Sequence, residues 1–228
     1  MKNFAIVVAA GNSVRFGGPI KKQFYKIHDK PTIFYSLNTF QNNSEIDSIV
    51  LVINKDDADQ IKKIVDEYKF SKVSKIVYGG STRQESVHNG LDALPNEGNV
   101  LIHDAARPLV DDEIIHELLV KLEDFDGAAP ALKMVDTIVE VENEQLTAFA
   151  DRDKLYRIQT PQAFHTQIIK QAHEELASLN ATDDTQLLLA LGKRVAIIPG
   201  KEKLAKITRL EDTSAIKAYI EKDEHLQN

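Results

Sequence analysis

Residues 4–23 read Phe4-Ala5-Ile6-Val7-Val8-Ala9-Ala10-Gly11-Asn12-Ser13-Val14-Arg15-Phe16-Gly17-Gly18-Pro19-Ile20-Lys21-Lys22-Gln23. The apolar run Phe4–Ala9 is too short for a helix and predicts a strand that is buried on both faces. The glycines that follow allow the backbone to approach a ligand closely and to point N–H groups at it. Ligands bind at the carboxyl ends of strands in an open α/β sheet, and the cations Arg15 and Lys22 favour a polyphosphate there.

Two common phosphate-binding loops are excluded by the spacing of this segment. A Walker loop ends in Gly-Lys-Ser/Thr, and Phe16-Gly17-Gly18-Pro19 lacks that ending. The dinucleotide fingerprint G-x-G-x-x-G is broken at its second glycine, which disfavours a dinucleotide oxidoreductase. Taken alone, a glycine-rich loop after a strand is also compatible with an ordinary βα turn, although such a turn needs no pair of cations.

Composition limits the class of protein. The 228 residues suffice for one α/β domain with a substantial core, which we predict to span 1–228, with two smaller domains as the alternative. The absence of cysteine excludes disulfides, thiolate metal sites and a cysteine nucleophile, and agrees with a cytoplasmic location. A net charge of −7 argues against nucleic acid but not against a small anion. We expect no membrane association, because no apolar run approaches the roughly 20 residues needed to span a bilayer.

Apolar runs alternate with helical patterns along most of the chain, which predicts βαβ units in a doubly wound, mostly parallel sheet. The predicted strands are Phe4–Ala9, Ser48–Ile53, Val73–Tyr78, Val100–His103, Gly127–Leu132 and Val195–Ile198, with a further short strand ending at Lys206–Thr208. The predicted helices are Asp57–Tyr68, a helix through Leu91 that begins at a Ser81–Gln84 capping box, Asp111–Leu122, and Gln186–Leu191 behind a cap at Thr182–Thr185.

One segment departs from this alternation. Residues Asp136–Ala150 alternate apolar and polar side chains on both sides of Asn143-Glu144, which predicts a β-hairpin. A hairpin of this kind has little core of its own and is marginal alone. We therefore expect residues 136–152 to form an arm that packs on a second subunit, while a hairpin folded over its own sheet remains the alternative.

Two further motifs fall at strand ends. Gly79-Gly80 lead into a helix at the same sheet edge, where the helix N-terminus suits an anion and Ser86 could read a base edge; a plain capped helix is the alternative. The strand Val100–His103 is followed by Asp104, which would lie at the cleft floor and suits Mg²⁺, or else caps the next loop. His103 is expected to be a packed histidine, because strand alternation points it to the opposite face.

Together these motifs resemble the 2-C-methyl-D-erythritol 4-phosphate cytidylyltransferases over essentially the whole chain. The ribitol-5-phosphate cytidylyltransferases share most of the motifs, but Ala10, Ala106 and Thr182-Asp183-Asp184 look like the erythritol-phosphate branch. The matching stretches are Ala9-Ala10-Gly11 with Arg15, Lys22-Gln23, Gly79-Gly80 with Arg83 and Ser86-Val87, His103-Asp104-Ala105-Ala106-Arg107-Pro108, Asp136-Thr137, Arg152 with Thr160-Pro161-Gln162, Thr182-Asp183-Asp184 and Lys206-Ile207-Thr208.

The resemblance implies a Rossmann-like nucleotidyltransferase sheet, a homodimer with a protruding hairpin arm, and Mg²⁺-dependent transfer of a cytidylyl group from CTP to a sugar-alcohol phosphate in isoprenoid precursor synthesis. It implies that Asp104 holds the metal, and that Thr137 and Arg152, which flank the arm, reach the neighbouring subunit's site. The implied catalytic residues are Arg15, Lys22, Arg152 and Lys206. The implied nucleotide-binding residues are Ala9, Ala10, Gly11, Asn12, Ser13, Gly79, Gly80, Arg83, Ser86, Asp104 and Ala105. The implied acceptor-binding residues are Arg107, Thr137, Arg152, Thr160 and Thr182.

The chain departs from the family pattern at two places. Lys203-Leu204-Ala205 stands before Lys206 where the family usually has Asp-Asn-Ile, which leaves Asp104 as the main metal candidate. Ser13 replaces a glycine of the first loop. Loss of the metal-side residues motivates a second hypothesis, a nucleotide-binding protein without turnover.

Overall fold

The computed structural model of the protein describes residues 1–222. The strands are β1 Asn3–Ala9, β2 Lys26–Ile27, β3 Lys30–Pro31, β4 Ser48–Ile53, β5 Val73–Tyr78, β6 Asn99–Asp104, β7 Gly127–Lys133, β8 Val139–Glu142, β9 Gln145–Phe149, β10 Tyr156–Ile158, β11 Gln162–His165 and β12 Val195–Pro199. The helices are α1 Thr32–Asn42, α2 Ala58–Glu67, α3 Arg83–Asp92, α4 Asp112–Lys121, α5 Thr166–Glu175, α6 Asp184–Ala190 and α7 Asp212–Lys222. No helix within residues 1–222 is long and apolar enough to cross a membrane.

The main sheet is mostly parallel. Strands β5, β4, β1 and β6 lie side by side in parallel, and β11 then pairs antiparallel with both β6 and β7. Beyond them, β12 runs parallel to β7, and β10 pairs antiparallel with the end of β7. This arrangement confirms the predicted α/β class with a mostly parallel sheet.

Helices cover both faces of the sheet, which explains the continuous apolar run in β1. Ala5 and Val7 pack in one layer with α1, α2, α4 and α7, whereas Phe4 and Ile6 pack in the other with α3, α5 and α6. Helix α3 approaches the sheet closely, since a Cβ on Gly90 would lie 2.9 Å from Ile6 Cγ2. This close packing fixes the position of α3 and therefore of the loop that precedes it.

The predicted boundaries hold for most elements. All six strands that the periodicity places in the sheet are confirmed to within one residue at each end, as are α2 and α4, and α6 begins two residues earlier than predicted. The late strand ending at Lys206–Thr208 is wrong: residues 202–204 form a 3₁₀ turn, and residues 205–208 belong to no strand.

The start of α3 is shifted by one residue from the predicted capping box. Thr82 is the N-cap and its Oγ1 accepts a hydrogen bond from the Glu85 N–H at 3.1 Å. The Glu85 carboxylate in turn accepts one from the Ser81 N–H at 2.6 Å. The Ser81–Gln84 pairing is therefore wrong, because the same spacing is satisfied by Thr82 and Glu85 with a charged acceptor.

The predicted hairpin is present as β8 and β9, which form a two-stranded sheet of their own. Asn143 and Glu144 both have positive φ, at 48° and 63°, as a tight two-residue turn requires. No residue from 132 to 150 is buried. The hairpin thus protrudes from this chain, and the alternative of a hairpin folded over its own sheet is wrong.

Candidate active site

A cleft of about 340 Å³ opens at the edge where β1, β4, β5 and β6 end. Six separate segments of the chain meet there, four of them because parallel strands bring their carboxyl ends to the same side of the sheet. The lining residues are Val8, Ala9, Ala10, Gly11, Asn12, Lys22, Gln23, Asn54, Gly80, Ser81, Thr82, Arg83, Ser86, Asp104, Ala105, Ala106 and Lys206.

The glycine-rich loop folds back on itself at Ser13. Ser13 has a positive φ of 57°, and its Oγ donates a hydrogen bond to Gln23 Oε1 at 3.1 Å and accepts one from the Lys22 N–H at 3.2 Å. Gln23 is buried and donates to Asp57 Oδ2 at 3.2 Å. Ser13 therefore ties the start of the loop to Lys22, which keeps the lysine at the cleft.

The start of α3 packs directly against the first loop. A Cβ on Gly79 would lie 2.4 Å from the Ala10 Cβ and 2.7 Å from Ser86 Oγ, so only glycine fits there. Ser86 Oγ donates to the Thr82 carbonyl at 2.8 Å and accepts from the Gly80 N–H at 3.1 Å. The Ser86 hydroxyl lines the cleft but also holds the loop, so its free hydrogen-bonding capacity is limited.

Asp104 ends β6 at the floor of the cleft, between two cations. Its Oδ1 is 3.3 Å from Arg83 Nε, and its Oδ2 is 2.6 Å from Lys206 Nζ. Burial alone would raise the pKa of Asp104, but Arg83, Lys206 and Arg107 outweigh it and hold the pKa well below its usual range. The carboxylate is therefore ionised at neutral pH and available to a cation or a phosphate-bound metal.

Lys22 lines the same cleft, and its Nζ donates to the Ile207 carbonyl at 3.2 Å. Burial and the positive charges of Lys206, Arg15 and Arg107 lower the pKa of Lys22 to about 8, against the opposing effect of Asp104. Arg15 itself is exposed on the loop and does not line the cleft. The site thus concentrates positive charge that an anionic ligand would stabilise.

His103 points away from the cleft, which confirms the prediction of a packed histidine. Its Nε2 lies 2.9 Å from the Arg107 carbonyl and its Nδ1 lies 3.2 Å from Thr160 Oγ1, so Nε2 carries the proton and Nδ1 accepts from the hydroxyl. Burial lowers the pKa of His103 to about 4, which keeps the ring neutral.

Thr160 lies beneath the cleft and does not line it. Its Oγ1 also accepts a hydrogen bond from the Asp104 N–H at 3.0 Å, and the side chain is buried. The hydroxyl therefore holds His103 and the backbone of Asp104.

The remaining residues assigned to the acceptor lie around the rim or apart from it. Arg107 Nη1 donates to the Leu204 carbonyl at 2.7 Å, and Arg107 is half-buried. Thr182 is exposed before α6 and accepts from the Gln186 amide at 3.4 Å. Thr137 and Arg152 are exposed at the base of the hairpin and do not line the cleft of their own chain.

Six residues that line the cleft are absent from the predicted site: Val8, Gln23, Asn54, Ser81, Thr82 and Ala106. The Asn54 amide donates to Asn12 Oδ1 at 2.8 Å, and its own Oδ1 accepts from the Asp56 N–H at 3.0 Å. Asn54 directly follows a predicted strand and precedes a helical pattern, which is the signal that could have identified it.

The cleft offers one carboxylate to a Mg²⁺ ion. Residues 1–222 contain no group of three or more histidines and carboxylates that could hold a metal, and Asp104 is the single carboxylate among the lining residues. One carboxylate fits Mg²⁺ when phosphate oxygens and water complete the shell. The positive charge of Lys203 does not oppose metal binding in the cleft, because its Nζ pairs with Asp111 at 2.8 Å. Leu204 does not oppose it either, because it is a buried core residue.

Comparisons with known proteins agree on one family. A family model described as IspD: 2-C-methyl-D-erythritol 4-phosphate cytidylyltransferase matches residues 3–222. The enzyme of that name from Clostridium botulinum (strain Loch Maree / Type A3) is 42% identical over 226 residues, covering 97% of this chain and 98% of the relative. The one from Geobacillus thermodenitrificans (strain NG80-2) is 39% identical over 218 residues, covering 95% and 96%. The crystal structure of 4-diphosphocytidyl-2C-methyl-D-erythritol synthase from Anaerococcus prevotii DSM 20548 has a TM-score of 0.83 at 33% identity, covering 96% of this chain and 98% of that one.

Proposed function

The chain belongs to the 2-C-methyl-D-erythritol 4-phosphate cytidylyltransferase family, and from this premise we propose how its residues carry out the family's reaction. The family match confirms the resemblance found in the motifs. The protein is a cytidylyltransferase of isoprenoid synthesis that transfers the cytidylyl group of CTP to 2-C-methyl-D-erythritol 4-phosphate. The observation that carries the proposed mechanism is the convergence of Lys22, Arg83 and Lys206 around Asp104.

The reaction joins two phosphates that repel each other. A phosphate oxygen of the alcohol attacks the α-phosphorus of CTP, and a new P–O bond forms. The bond from that phosphorus to the oxygen bridging to the β-phosphate breaks, and pyrophosphate leaves with the electron pair. The protein need only align the reactants and neutralise the charge that develops.

We assign the triphosphate to the first loop and its cations. Backbone N–H groups around Ala10–Ser13 would face the phosphates, as in other loops with fixed backbone donors. Lys22 and Arg15 would neutralise the triphosphate and the charge of the pentacoordinate transition state. We propose that the cytosine base contacts the Ser86 side chain and the backbone of Gly79, Gly80 and Ala105. Arg83 would act as a charged hydrogen-bond donor to the nucleotide.

Asp104 is our candidate for a Mg²⁺ ligand. A bound Mg²⁺ would supply charge neutralisation to the phosphate oxygens. The fit is supported by an ionised carboxylate at the cleft floor. Lys206 already contacts that carboxylate, and we propose that it also faces the acceptor phosphate.

For the acceptor we propose Arg107 and Thr182 on one subunit and Thr137 and Arg152 on its neighbour, with Thr160 acting through Asp104. This requires a homodimer in which residues 136–152 form the arm of a single domain, 1–228. The exposed apolar side chains of the hairpin support the assignment, since Val141, Leu146 and Phe149 are 58%, 56% and 71% exposed in the single chain. We further propose a cytoplasmic enzyme acting on small molecules, in line with a sequence without cysteine.

The substrate assignment is tested by pyrophosphate release with CTP and Mg²⁺. We expect turnover with 2-C-methyl-D-erythritol 4-phosphate that exceeds turnover with ribitol 5-phosphate by at least about tenfold in kcat/KM. A preference for ribitol 5-phosphate would reject the acceptor. Binding of CTP without pyrophosphate release from either acceptor would favour the hypothesis of a non-catalytic nucleotide-binding protein.

The lowered pKa of Lys22 predicts a pH dependence of CTP binding. Bound triphosphate favours the charged lysine, so the Kd should be flat below the free-protein pKa of about 8 and should rise above it. The limiting slope is about tenfold per pH unit. Calorimetric titrations across this range provide the measurement, and Lys22→Arg is the control because arginine stays charged. An equally steep rise in Lys22→Arg would assign the titration to another group.

The arm predicts a dissociable dimer. Phe149→Asp should produce monomers in sedimentation experiments at concentrations where the unsubstituted chain is dimeric, because it would place a charge in an apolar contact. Gln145→Asp is the matched control on the same hairpin. A wild-type chain that is monomeric and fully active would exclude the arm from the mechanism.

Exchange of residues between subunits can be tested directly. Arg152→Ala and Lys22→Ala should each be nearly inactive alone. If Arg152 acts in the partner's site, a mixture of the two variants should regain about a quarter of the wild-type sites after subunit exchange, since half of the dimers are mixed and one of their two sites is intact. No recovery despite exchange would place Arg152 in its own subunit's site.

A further inference from the structure

Arg83 is held between two carboxylates, and only one of them belongs to the cleft. Its Nε lies 3.3 Å from Asp104 Oδ1, and its Nη1 lies 2.8 Å from Asp184 Oδ2. Asp184 is the first residue of α6, is 1% exposed and does not line the cleft. The proposed function uses Arg83 and Asp104 but leaves Asp184 without a role.

Asp184 is fixed in place from behind by a histidine on α5. His173 Nε2 lies 3.2 Å from Asp184 Oδ1, and His173 is 2% exposed. The His173 ring also stacks on His88 of α3, with 6.2 Å between ring centroids. Burial would raise the pKa of Asp184, but Arg83 and His173 outweigh it and hold the pKa below its usual value. The buried aspartate is therefore a charged anchor for Arg83.

Stability alone gives little reason for this arrangement. A buried ion pair costs desolvation, and well-packed apolar residues in its place are often equally stable or more so. The neighbouring residue Gln84 strengthens the connection, since its Oε1 accepts from the Ala181 N–H at 2.6 Å and its Nε2 donates to the Leu176 carbonyl at 2.9 Å. Two adjacent side chains thus join the first turn of α3 to the segment that carries Asp184.

We propose that Asp184, held by His173, is a positioning residue for nucleotide binding that acts through Arg83. This inference rests on the proposed function. With both carboxylates charged, the Arg83 guanidinium is held between Asp104 and Asp184. The N–H groups that contact neither carboxylate remain available in the cleft that Arg83 lines. Without the charge of Asp184, Arg83 would pair with Asp104 alone. CTP would then lose a donor, and the carboxylate at the cleft floor would be more fully neutralised.

The first test is Asp184→Asn, which keeps the shape and removes the charge. We expect the Kd for CTP with Mg²⁺, measured by calorimetry, to rise about tenfold, the scale typical of partners that orient a ligating group. The KM for the acceptor should change less than about twofold, because the ion pairs of Asp184 join it to Arg83 and His173, which are not proposed acceptor residues. Asp126→Asn is the matched control, because the Asp126 carboxylate accepts a hydrogen bond from the Arg194 N–H at 2.8 Å. Asp126 directly precedes β7 and lies at the end of that strand away from the cleft. The control substitution should leave both constants unchanged.

A double-mutant cycle separates positioning from a general structural role. In an Arg83→Gln background, Asp184→Asn should raise the Kd by less than about twofold, since no guanidinium remains to be positioned. His173→Phe, which keeps the ring and removes its nitrogens, should show the same pattern with a smaller effect, and it carries the test if Asp184→Asn does not fold.

Three results have distinct meanings. An equal loss of CTP affinity in both backgrounds would overturn the inference, because the effect would not pass through Arg83. An unchanged Kd in Asp184→Asn would also overturn it. Failure of the unsubstituted protein to bind CTP would instead reject the proposed function.

Discussion

Lys22→Ala is expected to lower kcat by roughly 10²–10³-fold, the scale seen when one preorganised charge-stabilising donor is lost. The side chain has few alternative partners, since its Nζ donates to the Ile207 carbonyl and otherwise faces the cations and the carboxylate at the cleft floor. The positive charge of Lys22 is stabilising mainly when phosphates are bound, because the cleft without a ligand already carries an excess of positive charge. The loss should therefore appear mainly in kcat and only partly in the KM for CTP.

The measurement is steady-state pyrophosphate release with both substrates varied. Lys26→Ala provides the matched control, because Lys26 is an exposed lysine four residues further along in β2. We expect the control to stay within about twofold of wild type, as surface substitutions usually do. Turnover of Lys22→Ala within about threefold of wild type would remove Lys22 from the transition state.

Asp104→Asn is expected to reduce kcat by about 10³-fold or more and to raise the Mg²⁺ concentration needed for half-maximal activity. The amide keeps the size of the side chain, and the backbone N–H can still donate to Thr160 Oγ1. The substitution removes the negative charge with which both Arg83 and Lys206 form ion pairs. Mn²⁺ binding in the presence of CTP, followed by electron paramagnetic resonance, reports the metal without relying on turnover.

Asp126→Asn again serves as the control, because it removes a hydrogen-bonded carboxylate away from the cleft. Thermal unfolding of both variants shows whether the fold survives the substitution. An unchanged metal titration in a folded Asp104→Asn variant would show that Asp104 is not the metal ligand.

The centre of the sheet was predictable because β1, β4 and β6 are buried on both faces. Ile49–Ile53 and Val100–Ile102 are unbroken apolar stretches ended by polar residues, and segments of that length are too short for a helix. The four-residue strand Gln162–His165 carries no such signal. It is antiparallel and lies next to a Thr-Pro step, and its pairing with β6 and β7 is decided by tertiary contacts.

The sequence predicts which loops form the cleft, but it does not predict which side chains contact each other there. Strand order brings the loops after β1, β5 and β6 to one edge, so residues named at those loops do meet. The pair Asp104 and Lys206 and the pair Arg83 and Asp184 each join residues about a hundred positions apart. No local pattern encodes such contacts, and His173 in particular looks like any histidine on a helix until its buried partner is seen.

The effect of having Lys203-Leu204 where the family usually has Asp-Asn could be interpreted only from the structure. Sequence comparison with the family pattern suggested a damaged metal site. Leu204 instead fills the core and offers its carbonyl to Arg107, while Lys203 pairs with Asp111 outside the cleft. The segment therefore still supports a cleft residue through its backbone, which a change of side chains does not remove.

A crystal structure with CTP and Mg²⁺ bound tests most directly whether this cleft is the site of cytidylyl transfer. We expect the triphosphate along residues 10–13, with Lys22 within hydrogen-bonding distance of a phosphate oxygen, the metal on Asp104, and the base against Gly79, Gly80 and Ser86. A nucleotide bound elsewhere, or one whose phosphates lie away from both Lys22 and Asp104, would contradict the mechanism.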